Sequence, residues 1–187
     1  MKKFRLFRKA GKVPAAKKLL VPPIVWETTK WLEENALEEV GLFRISASKT
    51  DLDALMKTYK KGRSLKLKSE SDPHLIAAFL KMFIRECVHD SLLIGDLAPC
   101  WISAISQLND ERKRNGLQTV AGLMPAANRS LATHLFKFLN KVSQHASVNK
   151  MNAHNLAIVF GPNLFPVGAY GLNQSVVVIK LTKYCIE

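Results

Sequence analysis

Three groups of residues in this chain could do chemistry. The first is Arg44, within Gly41-Leu42-Phe43-Arg44-Ile45-Ser46. It is a single guanidinium among apolar neighbours, on a segment that begins with glycine. A guanidinium always carries charge, and its planar fork bonds two oxygens together. The second group is Lys81 and Arg85, four apart and therefore on one face of a helix. A paired cation face set off the core suits an anionic partner. The third is Asn155 and Asn163, the latter directly after Gly161-Pro162. An amide placed there is positioned by the chain stop and can hydrogen-bond across to a neighbouring loop.

Each group also has a plainer explanation. Arg44 can pair with Glu38 or Glu39 at the surface, Lys81 and Arg85 can form a solvated helix face, and Asn163 can simply cap a turn. The chain has no Ser/His/Asp, Cys/His or paired-carboxylate arrangement, so no self-contained hydrolytic centre is expected. It has no Walker-type glycine loop to hold a nucleotide. Cys87, Cys100 and Cys185 lie far apart, with no CxxC, and the five histidines make no HExxH pair. The expectation is reduced thiols, no metal and no cofactor.

The elements that must position these residues read as helices. Pro22-Pro23 opens a first helix, with Ile24, Val25, Trp31 and Leu32 at helical spacing through Asn35. Ser48 to Asp51 is a capping-box-like start, Leu52, Leu55, Met56 and Tyr59 form the stripe behind it, and Gly62 ends it. Asp72-Pro73 starts another helix, which buries Leu75, Ile76, Phe79, Leu80 and Phe83. Trp101 to Leu108 is amphipathic, and Asn109 to Gly116 reads as a charged, turn-rich break. Pro125 opens a long helix through Val142. Asn152 caps a helix through Phe160, which Gly161-Pro162 is expected to stop. Gln174 to Ile186 is rich in β-branched residues, yet it reads as helix because no other segment supplies a sheet for it to join. The fold class is all-α, a compact bundle of about seven or more helices.

The chain has 187 residues, 48% hydrophobic and 23% charged, which suits one soluble globular domain. No apolar run approaches the roughly 20 residues that span a bilayer. The expected organisation is a basic arm over residues 1–20 and a helical domain over 21–187. Residues 1–18 carry eight cations and no acid, most of the +13 net charge. This arm reads as a solvated extension. Its sharper reading is an anionic membrane contact through Lys2, Lys3, Arg5, Arg8 and Lys9. The body lacks a basic stripe interleaved with aromatics, so nucleic acid is not the expected partner. Location is expected in the cytoplasm, peripheral to membranes if the arm engages one.

Three ordered blocks carry a resemblance. VPPIVWETTKWLEENALEEVGLFRIS, DPHLIAAFLKMFIREC, and MPAANRSLATHLFKFLNKV with NKMNAHNLAIVFGPNLF resemble the blocks of the RhoGAP domain family, in order, across about residues 20 to 187. The resemblance implies a GTPase-activating domain acting on a GTP-bound Rho- or Rac-type small GTPase. Arg44 matches the family's arginine finger, and Lys81 and Arg85 its basic pair, which supports the finger loop and the GTPase contact. Asn163 matches an interface asparagine, and Asn155 a structural one. GTP and magnesium would be held by the partner. The competing reading is a module of the same fold that binds a GTPase with little or no activation. Two departures stand out. Ala47 occupies a position where the family has glycine, and alanine at positive φ would strain the loop by roughly 1–2 kcal/mol. The family's proline-rich stretch after the basic pair is replaced by Cys87-Val-His-Asp90.

Overall fold

A computed structural model of the chain describes residues 20–63, 65–87, 92–93, 95–164 and 174–187. Residues 1–19 of the basic arm, the stretch 88–90 and residues 165–173 lie outside the described residues. Those described form helices and no strand. The helices are α1 (Pro23–Asn35), α2 (Lys49–Lys60), α3 (Pro73–Cys87), α4 (Ala98–Ile105), α5 (Asp110–Leu123), α6 (Ala126–Gln144), α7 (Ala146–Asn149), α8 (Ala153–Leu164) and α9 (Gln174–Ile186).

The capping residues behave as their types dictate. Ser48 Oγ accepts from the Asp51 amide at 3.4 Å, and Asp72 Oδ1 from the His74 amide at 2.8 Å. Asn152 Oδ1 accepts from the Asn155 amide at 2.9 Å. Each satisfies a donor that the first helical turn leaves unpaired. Gly62 closes the α2 end at φ +73, a conformation free of Cβ strain only for glycine.

Two expected stops prove to be helix. Asn109 to Gly116 is not a break but the first half of α5. Asn109 Oδ1 accepts from the Arg112 amide at 2.9 Å, and Asp110 and Glu111 occupy the first turn, where the helix dipole favours acids. Gly116 faces α4, and a Cβ there would lie 3.1 Å from that of Ala104, so glycine permits a close approach. Likewise α8 does not stop at Gly161-Pro162 but runs through both to Leu164. Proline removes the donor to the Ile158 carbonyl, but Ile158 and Pro162 are exposed and water can serve that carbonyl. Gly161 is buried against α9, with its Cβ position 3.1 Å from Val178 Cγ1. The glycine sets helix spacing rather than ending the helix.

The core lies where α3, α6 and α8 meet. Phe79, Phe83, Phe138 and Phe160 are almost fully buried there, with Tyr59 of α2 set edge-on to Phe79 and Phe83. α1 packs on α3 and α6, while α9 lies against α4, α6 and α8. The β-branched run of α9 is helical because Leu181 and Ile186 bury themselves in this core, and Asn140 Nδ2 donates to the Ile186 carbonyl at 2.8 Å. Tertiary burial outweighs a propensity that spans only about 1 kcal/mol per residue.

Candidate functional site

The segment from Leu37 to Ser48 joins α1 to α2 and carries Arg44. Its backbone is tightly turned. Gly41 and Phe43 take φ +72 and +70, and the Arg44 and Ile45 amides both donate to the Gly41 carbonyl, at 2.8 and 2.9 Å. A Cβ on Gly41 would lie 2.9 Å from Ile45 Cδ1, so the position accepts only glycine without strain. A non-glycine residue at Phe43 holds its left-handed conformation at a cost of about 1–3 kcal/mol, which its surroundings must offset. Ala47 is not among the residues with positive φ. The strain expected from alanine there does not arise, because the turn places its left-handed residues earlier.

The surroundings that hold Phe43 are specific. Its ring is buried edge-on against Phe138 of α6 and Phe160 of α8, at 5.9 and 4.9 Å between centroids. Its carbonyl accepts from Lys81 Nζ, which reaches across from α3. At the other end of the turn, the Gly41 amide donates to the Asn149 carbonyl at 2.8 Å. Asn149 is fully buried. Its Nδ2 donates to the carbonyls of Leu37 and Val142, and its Oδ1 accepts from the Met151 amide. Glu39 Oε1 lies 3.2 Å from His74 Nε2 at the start of α3. The loop is thus fixed at Leu37, Glu39, Gly41 and Phe43.

Arg44, next to the buried Phe43, is exposed. Among the described residues it forms no ion pair, and Glu39 is turned to His74 instead. The plainer explanation, a surface pair with Glu38 or Glu39, is not what the loop shows. Ile45 and Val40 flank it as exposed apolar side chains. The result is one unpartnered guanidinium on a rigid, partly apolar platform.

Lys81 and Arg85 do not form the solvated helix face of the plainer explanation. Lys81 is half-buried and bends towards the loop, and burial, then the charge of Arg85, lowers its pKa. Arg85 is exposed and lies 3.1 Å from Glu86 Oε1. One cation therefore buttresses the Arg44 loop and the other faces outward one turn away. Asn163 sits in the last turn of α8, and its Nδ2 donates to the Val159 carbonyl at 2.7 Å, within its own helix. The expected bond across to a neighbouring loop is absent among the described contacts. Asn155 Nδ2 donates to the carbonyl of Lys150, a left-handed residue at φ +61, which ties α8 to the turn after α7.

Two residues important to the site escaped sequence reasoning. Phe43 stood in plain view beside Arg44, but nothing in its type announces positive φ. Asn149 is one polar residue among several in Ser147-Val-Asn-Lys150, and only burial reveals its three bonds. Among the described residues no group of histidines, cysteines or acids could hold a metal. No described helix is long and apolar enough to cross a membrane.

Comparison with known proteins adds the following. The family model described as "RhoGAP domain" matches residues 22–168. Rho GTPase-activating protein gacJJ of Dictyostelium discoideum is 34% identical over 162 residues, covering 84% of this chain and 18% of that protein. Rho GTPase-activating protein 6 of Mus musculus is 34% identical over 155 residues, covering 77% of this chain and 16% of that protein. The chain thus spans less than a fifth of the length of these relatives. Among solved structures, human Rho GTPase activating protein 15 superposes with a TM-score of 0.82 over 89% of this chain and 81% of that one, at 23% identity, a likeness of fold.

Proposed function

This chain belongs to the RhoGAP domain family, and on that premise we propose that it accelerates GTP hydrolysis by a GTP-bound Rho- or Rac-type small GTPase, into whose nucleotide site it inserts Arg44. The observation that carries this reading is the arrangement around Arg44. The guanidinium is exposed and unpaired, while the residue before it is anchored by its ring in the core and by its carbonyl on Lys81. Preorganised charge of this kind acts where charge develops in a transition state.

As GTP is cleaved, negative charge grows on the β–γ bridge and the γ-phosphate oxygens. An arginine supplied in trans is worth about 10³–10⁵ in rate, with Ras-type GTPases and their activators at the upper end. That is roughly 4–7 kcal/mol of barrier. The GTPase keeps nucleotide, magnesium and the water-orienting residue. Lys81 holds the loop, Arg85 meets the partner's acidic or backbone acceptors, and Asn163 lies at the rim of the contact. The chain has no active site of its own in this scheme, since it supplies only the arginine and the platform.

The test is single-turnover GTP hydrolysis by Rho-, Rac- and Ras-type GTPases with this chain. Arg44→Ala should remove most of the acceleration, at least about 10³-fold, and leave the complex able to form. An unchanged rate with Arg44→Ala would refute the finger assignment. Binding of the GTP-loaded partner with no acceleration by the native chain would favour the binding-module reading.

A further inference from the structure

A second surface lies along α1. The stretch from Lys57 to Lys68 holds six cations and no acid. Lys57, Lys60, Lys61, Arg63 and Lys66 are exposed and, among the described residues, have no carboxylate partner. Only Lys68 is paired, at 3.5 Å from Glu70. The stretch is fixed to α1, because Trp31 Nε1 donates to the Lys68 carbonyl at 2.9 Å.

Beside it, Trp26 presents 42% of its surface to solvent, an unusual position for the largest apolar side chain. Lys30 Nζ stands 5.2 Å from its ring, and Lys66 and Leu67 complete a shallow hollow with it. Glu27 and Glu34 also border this hollow and balance Lys30 and Lys66, with Lys30 Nζ 3.7 Å from Glu34 Oε1, so the excess positive charge comes from the rest of the Lys57–Lys68 stretch. An exposed indole beside a stretch of unpaired cations is the combination that headgroup regions of anionic bilayers accept: the ring sits at the interface and each cation meets surface charge.

Chain continuity points to the same occupant. Residues 1–18, with eight cations and Phe4, Leu6 and Phe7 among them, join the fold at exposed Leu20, and the Trp26 amide bonds the Pro22 carbonyl. The described chain therefore begins, at Leu20, beside the end of α1 that carries Trp26. The finger loop follows Asn35, nine residues and about 14 Å along the helix from Trp26 at 1.5 Å per residue.

We propose that Trp26 and the Lys57–Lys68 cations form a docking surface for an anionic lipid bilayer, built into the folded domain and distinct from the arm. The surface does not depend on the function proposed for Arg44. The full chain should bind vesicles of phosphatidylcholine with about 30% phosphatidylserine and ignore phosphatidylcholine alone. Reversing three charges in Lys60→Glu/Lys61→Glu/Arg63→Glu, arm intact, should weaken that binding about 100-fold or more. Trp26→Ala should weaken it about 10-fold, with less dependence on salt. Both variants should accelerate hydrolysis by a GTPase in free solution as the native chain does. Wild-type affinity in the triple variant would assign all binding to the arm and overturn the proposal. So would equal binding to neutral vesicles, or retention by nucleic acid with vesicles left unbound.

Discussion

Lys81→Met is the substitution that most directly probes how the loop is held. It keeps the aliphatic stem and removes the ammonium that donates to the Phe43 carbonyl. A hydrogen bond from a charged donor contributes about 1.5–3 kcal/mol. That is the same size as the roughly 1–3 kcal/mol needed to hold Phe43 at positive φ. Without the lysine, the strain is no longer offset and the turn is free to relax. The share of loops that present Arg44 correctly should then fall by about 10- to 150-fold. The assay is single-turnover hydrolysis at saturating activator, so that weaker binding is not mistaken for a slower step. The melting temperature should drop by about 3–12 °C. The decisive comparison is with Arg44→Ala. If Lys81 acts through the arginine, Lys81→Met should remove little more from the rate once Arg44 is gone. An unchanged rate in the single variant, or the same factor lost again in the double variant, would refute the buttress.

Gly41→Ala places a Cβ 2.9 Å from Ile45 Cδ1 at φ +72, and should cost about 1–2 kcal/mol, seen as a lower melting temperature and a slower activated rate. Asn149→Ala leaves the carbonyls of Leu37 and Val142 and the Met151 amide without their partner. Urea unfolding should show a loss of about 3–5 kcal/mol with little change in slope. His134, whose Nε2 lies 2.8 Å from Thr29 Oγ1, has its pKa lowered chiefly by burial, against a raising influence from Glu33. The folded state therefore favours the neutral ring. Its stability is full above pH about 6.5 and falls as the pH drops through the lower folded value. Thermal unfolding between about pH 7.5 and 5 should show this loss, and His134→Gln should flatten it.

Much of this architecture is legible from residue types alone. Ser48, Asp72 and Asn152 cap where a side-chain acceptor and a following apolar stripe predict them. Local chemistry decides those positions. Asn109 to Gly116 misleads because turn-forming and helix-starting residues are the same set, and only packing on α4 shows which use applies. Gly161-Pro162 misleads for a related reason: its glycine serves contact with α9, a partner far along the chain. In the site, Arg44 is recognisable by its setting. The direction of Lys81 is not, because the i, i+4 rule places it beside Arg85 without saying which of the two turns inward. Asn149 gives no local sign, since Val142 and Met151 are near it in sequence but the bond that ties it to the loop goes to Leu37, 112 residues away.

The last helix carries a practical consequence. The stretch recognised as the family ends at residue 168, and α9 begins six residues later. Yet α9 covers α4, α6 and α8, seats itself on Gly161, and buries Leu181, Thr182 and Ile186. The stretch that the family model matches is thus shorter than the unit of folding. A fragment trimmed to the recognised boundary would keep Arg44 and every residue that braces it, and would lose the wall behind the helix that carries Phe160.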